Sequence, residues 1–278
     1  MAVETLRTVP ALPVGRRVAS LAVLGDSTAV GLGDPLPGGG WRGFGPLLAA
    51  ALGSPGEVRY TNLSIMGARM ADLRRRQLPG AVAAGPDVAV ILAGMNDTLR
   101  SDFDPVVLRD DLDAVVTALQ ACGAVVLTIR FHDHGRVFRL PGSLRRALHH
   151  RVGQLNEATD QVVARRGALI LDLHLMPGTY DTAAWSVDRL HPSECGHRML
   201  ASGFADLLIG AGIAVPHPVD LTSAGGRRQT AADHVAWLAC QGVPWLVRRG
   251  RDLLPHAAGL ALRDLLGRPT AVPSRCGK

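Results

Sequence analysis

Three residue types capable of acyl chemistry stand at the ends of apolar runs. Ser27 closes Gly25-Asp26-Ser27 directly behind the run 18–24, and Asn96 lies in Gly94-Met95-Asn96-Asp97 directly behind the run 88–92. Much later comes Asp188-Arg189-Leu190-His191. A serine hydroxyl is a poor nucleophile at its own pKa, so a neutral imidazole must take its proton. The imidazole in turn needs a carboxylate on its other nitrogen to hold the tautomer. The tetrahedral intermediate then needs hydrogen-bond donors aimed at its oxyanion. Ser27, His191 and Asp188 are assigned those first three roles, and the D-x-x-H spacing lets Asp188 fold back toward the His191 ring. The Ser27 backbone N–H, where a helix begins, is one ready oxyanion donor. These residues predict a cofactor-free serine hydrolase with no metal, acting on a carboxylic ester through an acyl-enzyme.

Such residues must be positioned by a framework, and the rhythm of the chain supplies one. Short apolar runs at 18–24, 58–63, 88–92, 124–129 and 168–173 alternate with segments of helical period. Their β-branched, nearly continuous apolar character suits parallel strands covered on both faces. After Asp104-Pro105, the residues Leu108, Leu112, Val115, Val116 and Leu119 form one apolar stripe, with Asp110, Asp111 and Asp113 mainly on the wet side. Further helices are predicted over about 144–165 and from Ser193, as cap, to about 209. This order predicts an α/β fold: a three-layer α/β/α, doubly wound, flavodoxin-like parallel sheet of about five strands with a C-terminal helical appendage. Reactive residues at strand ends are where such a sheet builds its site. The breaker-rich loop 33–40 follows Ser27 and reads equally as a substrate-side loop or as a plain connector.

Composition narrows the class. The 278 residues, 47% hydrophobic and 4% aromatic, allow one large domain or one with an appendage. Residues 1–215 hold 21 Arg against 20 acidic residues, whereas residues 216–278 hold 8 Arg and one Lys against 4 Asp. The main body is therefore near neutral and the excess belongs to the tail, unlike a nucleic-acid enzyme with a basic stripe at its reactive residues. Four cysteines without paired spacing read as free thiols of a reducing, cytoplasmic compartment. A cleaved twin-arginine signal at Arg16-Arg17 would remove the first strand and Ser27, so none is expected. No run approaches 18 unbroken apolar residues.

Taken together, the motifs resemble those of SGNH hydrolases of the GDSL type. Gly25-Asp26-Ser27-Thr28 is similar to the first block of that family, and Asn62-Leu63-Ser64-Ile65-Met66-Gly67 to the second. Gly94-Met95-Asn96-Asp97 matches the third and Asp188-Arg189-Leu190-His191-Pro192 the last, so the resemblance covers about residues 18–211. It implies the Ser27, Asp188, His191 triad and an oxyanion hole from the Ser27 N–H, the Gly67 N–H and the Asn96 side-chain amide. It further implies an open, shallow site suited to accessible acyl or acetyl esters. The wording of the first block, with its Gly-rich loop and Trp41, is similar to bacterial, actinomycete-like members. The chain departs where a Glu often follows the serine, carrying Ala29 and Val30 instead. The G-x-S-x-G elbow of the better-known α/β-hydrolases is absent.

Other residues take plainer readings. Asp26 suits capping better than acid catalysis, and His197 packs or caps within the next helix. His132-Asp133-His134 reads as a loop near the site rim, because adjacent residues point apart and no metal motif accompanies them. Arg74-Arg75-Arg76 reads as a solvated helix face. Residues 1–215 are assigned to the catalytic domain and 216–278 to a linker, with Pro216, Pro218 and Gly225-Gly226-Arg227-Arg228, followed by the appendage. Its segment 234–254 mixes Trp237 and Trp245 with Arg248, Arg249 and Arg251. The favoured reading is a helix pair packed on the main domain; a lid, a partner-docking surface and peripheral contact with an anionic membrane stay open. Expected partners are a small-molecule or lipid ester and no nucleic acid. Acyl transfer by the same triad, and a non-catalytic docking module on the same fold, are the competing readings.

Overall fold

In the computed structural model, residues 15–137 and 142–226 are described. Five strands, β1 (Ser20–Gly25), β2 (Arg59–Asn62), β3 (Val88–Leu92), β4 (Val125–Arg130) and β5 (Leu169–Asp172), form one sheet in the order β2-β1-β3-β4-β5. Every pairing is parallel, with Leu21 beside both Tyr60 and Val88, Val88 beside Val125, and Leu127 beside Leu169. The expected parallel α/β sheet is thus present, within a residue or two of the predicted strand limits. All residues of β1 and β3 are buried, as their unbroken apolar runs require under helices on both faces. The edge strands β2 and β5 are only partly covered.

The longer helices are α2 (Phe44–Leu52), α4 (Leu78–Ala84), α6 (Pro105–Ala121), α8 (Gly142–Arg166) and α9 (Glu194–Gly210). Shorter pieces are α1 (Ser27–Val30), α3 (Met70–Asp72), α5 (Met95–Thr98) and α7 (His134–Val137). On one face α2 packs on α9; on the other, α4 packs on α6 and α6 on α8. The predicted stripe of α6 is buried throughout, and Asp104 caps the helix by accepting from the Val106 N–H at 2.8 Å, with Pro105 in the first turn. Asp111 departs from its predicted wet side: it is buried and ion-paired with Arg74 at 2.9 Å. Arg74, Arg75 and Arg76 are exposed as expected, on a π-helical stretch (Leu73–Gln77) joining α3 to α4.

The strand order decides where a site can form. From β1 the chain turns outward to β2, then crosses back to place β3 on the other flank of β1. The order therefore reverses between β1 and β3, and a crevice opens at the carboxyl ends of these two strands. At its base, a Cβ on Gly25 would run into the Leu92 carbonyl oxygen and the Ala29 side chain. Only glycine allows the two strand ends to approach so closely. Gln77 pairs with both Gly25 backbone groups, accepting from its N–H at 2.8 Å and donating to its carbonyl at 2.9 Å.

Residues 216–226 carry no helix or strand and are tied to the body. Arg198 donates to the Asp220 and Ala224 carbonyls, and the His217 N–H donates to the Ala51 carbonyl. The expected helical appendage, with Trp237, Trp245 and the arginines around them, lies outside the described residues. Among the described residues, no helix is long and apolar enough to cross a membrane.

Candidate active site

Ser27 is the first residue of α1, two positions beyond the buried end of β1. Asp26 caps this helix as expected, its Oδ1 accepting from the Thr28 N–H at 3.0 Å. The Ser27 N–H occupies the first helical position, where a backbone donor has no partner inside the helix. Its side-chain oxygen lies 2.7 Å from Nε2 of His191, 164 positions away.

His191 is brought there by a loop before α9. Asp188 and His191 are buried, and Asp188 Oδ2 meets His191 Nδ1 at 2.6 Å. The other oxygen, Oδ1, accepts from the Ser186 hydroxyl at 2.6 Å and from the Leu190 and His191 N–H groups at 2.8 and 2.9 Å. To fold back this tightly the loop places Arg189 at φ 56°, a left-handed conformation that costs a non-glycine residue about 1 kcal/mol. Burial alone would raise the Asp188 pKa, but the bonds from His191 and Ser186 outweigh it and hold the carboxyl below its usual range. Asp188 is therefore an acceptor only, so the proton between the two residues sits on His191 Nδ1. In the neutral ring Nε2 is then the acceptor, aimed at the Ser27 hydroxyl.

The Gly-rich loop after Ser27 is locked to the histidine loop. A Cβ on Gly33, at φ 101°, would collide with the Pro192 carbonyl. Nearby, His197 is fully buried, its Nε2 bonds the Leu32 carbonyl at 3.0 Å, and its ring stacks on Phe44, which fits its packing role. Ser193 caps α9 through the Gly196 N–H at 3.3 Å. The stretch Gly38–Gly40, by contrast, is exposed.

Asn96 lies in α5, at the carboxyl end of β3. Its Nδ2 donates to Asp26 Oδ2 and to the Ala68 carbonyl, both at 3.2 Å. The second bond sets the amide beside Gly67, which has φ 74° in the turn closed by the Ala68 N–H bond to Ile65. The structure thus brings Ser27, Asp188 and His191 into one hydrogen-bonded row and Asn96 beside the Gly67 turn. Asp97, next to Asn96, accepts from the Met70 N–H at 3.1 Å and pairs with Arg69 at 3.3 Å, so it braces the turn carrying Gly67.

Ser27, His191, Asp26 and Asn96 open into a recess lined largely by apolar side chains, among them Leu92, Met95, Ile129, Phe131, Met176 and Leu200. His132 and His134 also line it, with stacked rings 4.0 Å apart. Asp133 turns elsewhere: its Oδ1 accepts from the Gly135 N–H at 2.9 Å, and its other oxygen lies 3.4 Å from His149. Gln77, Ser186 and Asp97 are supporting residues that the sequence reading did not single out. Only for Asp97 was there a local signal, its place directly after Asn96.

Burial is the leading cause that pushes the Asp26 carboxyl up to about 6, against the Thr28 bond and the nearby His191. A carboxyl with a folded pKa above the unfolded value of about 3.9 contributes its stability below that value and loses it as pH rises through about 6. Relative to Asp26→Asn, the native protein is expected to lose about 2–3 kcal/mol of unfolding free energy between pH 4 and pH 8. Urea unfolding at both pH values measures this, and a pH-independent gap between the two proteins would contradict it.

The same architecture occurs in solved structures. A metagenomic α/β hydrolase from Lake Arreo, LAE5, superposes with a TM-score of 0.55 at 22% identity, covering 68% of this chain and 94% of the other. TesA gives 0.53 at 24%, covering 68% and 97%. In sequence, the acetylxylan esterase of Geobacillus stearothermophilus is 26% identical over 162 residues, which is 53% of this chain and 70% of that protein. The model of the GDSL-like Lipase/Acylhydrolase family matches residues 23–199, a span that contains Ser27, Gly67, Asn96, Asp188 and His191. With well over half of its length so matched, the chain belongs to the GDSL-like lipase/acylhydrolase family and is a carboxylic ester hydrolase.

Proposed function

We propose that the protein cleaves its ester through an acyl-enzyme formed on Ser27. The observation that carries this reading is the row Ser27 Oγ, His191 Nε2, His191 Nδ1, Asp188 Oδ2, with links of 2.7 and 2.6 Å. In the first half-reaction, Ser27 Oγ attacks the ester carbonyl as His191 Nε2 takes the hydroxyl proton. The carbonyl π electrons move to oxygen, and the oxyanion is met by the N–H groups of Ser27 and Gly67 and by the Asn96 amide. Collapse breaks the bond to the alcohol oxygen, which leaves with the proton from His191. Water then attacks the acyl-enzyme in the same way and regenerates Ser27. Asp188 stays ionised throughout and stabilises the imidazolium.

Asn96 must turn one N–H from Asp26 or Ala68 toward the oxyanion. Both present bonds are at the long end of the N–H···O range, so exchanging one is inexpensive. Asn96→Ala is expected to lower kcat by about 10²–10³-fold with little change in KM. Steady-state kinetics on p-nitrophenyl acetate measure this, and an unchanged kcat would remove Asn96 from the oxyanion site.

The test of the reading as a whole is covalent. A serine-directed fluorophosphonate should add one label to the full chain, and peptide mapping should place it on Ser27. Failure to label the folded protein would favour the non-catalytic alternative. The acetylxylan esterase relative supports a small acyl group and a sugar alcohol as one substrate class to include in the assay panel. The free thiols of Cys122 and Cys195 support a cytoplasmic, reducing setting.

A further inference from the structure

Away from Asp26, Ser27, Thr28, Asn96 and His191, the polar side chains lining the recess are His132, His134, Thr179 and Trp185. His132 is 1% exposed and Thr179 3% exposed, and both line the recess. Neither ring nitrogen of His132 has a hydrogen-bond partner, and neither does the Thr179 hydroxyl. Buried polar atoms are almost always paired, by protein, water or ligand. The His132 ring cannot turn outward to find a partner. It is stacked on His134 at 4.0 Å, lies 4.6 Å from Trp185 and meets the edge of Tyr180 at 6.0 Å.

We infer that this corner is a specificity subsite for a neutral hydroxyl group carried on the part of the ester that enters the apolar recess. A neutral imidazole presents one donor and one acceptor, and a threonine hydroxyl presents both. A substrate hydroxyl, itself donor and acceptor, can pair with one His132 ring nitrogen and with the Thr179 hydroxyl, whereas a plain alkyl chain leaves every one of these atoms unpaired. A site whose buried polar groups are left unpaired by the wrong substrate discriminates strongly against it. Burial, reinforced by the neighbouring His134, holds the His132 pKa far below the ordinary histidine range, and burial holds that of His134 down to about 4. Both rings are therefore uncharged near neutral pH and offer no charge of their own to a carboxylate or phosphate. The inference rests on the ester-hydrolase mechanism proposed above and names the substrate chemistry for that same site.

The experiment uses the full chain and p-nitrophenyl hexanoate. Alongside it run esters bearing one hydroxyl at successive carbons of the acyl chain, hexyl esters hydroxylated likewise on the alcohol, and the adipate half-ester. At least one hydroxylated ester is expected to exceed its parent in kcat/KM by tenfold or more, with the carboxylate-tailed ester below the parent. His132→Phe and Thr179→Val should each reduce that ratio toward one. Two substitutions are needed because either alone could disturb folding, and the ratio of two substrates on one preparation cancels any loss of active protein. Equal rates for all hydroxylated and parent esters would overturn the assignment, as would a preference that survives both substitutions. Absence of any ester turnover together with no fluorophosphonate label on Ser27 would overturn the underlying mechanism, an outcome distinct from ordinary turnover without hydroxyl preference.

Discussion

Ser27→Ala is expected to lower kcat/KM for p-nitrophenyl acetate by about 10⁴-fold or more while leaving the fold intact. The hydroxyl is the atom that forms the acyl bond, and no neighbouring side chain can replace it: His191 points its Nε2 at this oxygen, and Asp26 is engaged with Thr28 and Asn96. Serine hydrolases stripped of the nucleophile retain only the contribution of the oxyanion donors and substrate binding. Structurally, the change removes one side-chain hydrogen bond and no apolar volume, so the melting temperature should move by only a few degrees. Progress curves with the purified variant, corrected for trace native enzyme by fluorophosphonate titration, decide the matter. Near-normal turnover would mean that another group is the nucleophile.

Asp188→Asn is the more demanding case, because it leaves the shape of the site unchanged and alters one proton. In the native loop Oδ1 accepts from three donors, Ser186, Leu190 and His191 N–H, while Oδ2 faces His191 Nδ1. Asparagine has one acceptor oxygen and one NH₂ group, and three donors keep the oxygen where Oδ1 lies. The NH₂ group then faces Nδ1, which must become an acceptor, so the ring proton moves to Nε2. A protonated Nε2 cannot take the Ser27 proton. The expected loss is about 10⁴-fold in kcat, the size seen when this tautomer is reversed in a serine protease. Rates measured across pH 5–9, together with the ring-nitrogen chemical shifts of His191, would test it. Loss of less than about tenfold, or an unchanged tautomer, would sink the argument.

The local and the distant parts of this protein differ in how far they could be read from residue order. The runs that became β1 and β3 were legible because strands covered on both faces are apolar at every position, a signal contained in five or six adjacent residues. The α6 stripe was legible for the same reason, with a helical period. Asp111 was misplaced because its burial depends on Arg74, which belongs to a different helix. Gln77 was invisible as a support because glutamine inside a basic helical stretch looks solvated, and its two bonds to Gly25 span 52 positions. Ser186 carried no pattern of its own, and its role exists only because the loop returns on itself at Arg189. His132 and His134 were placed near the rim from residue order. Only the folded chain shows them stacked inside the wall of the recess, beside a threonine 47 residues later.

By itself, the order of residues determined that strands and helices alternate, that reactive residues follow strand ends, and that Asp188 can reach His191 across three positions. Hydrophobic periodicity and short-range spacing are local properties, and the chain carries them without folding. That Ser27 meets His191, that Asn96 stands over the Gly67 turn, and that two imidazoles share an apolar wall were decided only by the tertiary structure. These contacts follow from the strand order, from the reversal between β1 and β3, and from side chains packing across segments far apart in the chain.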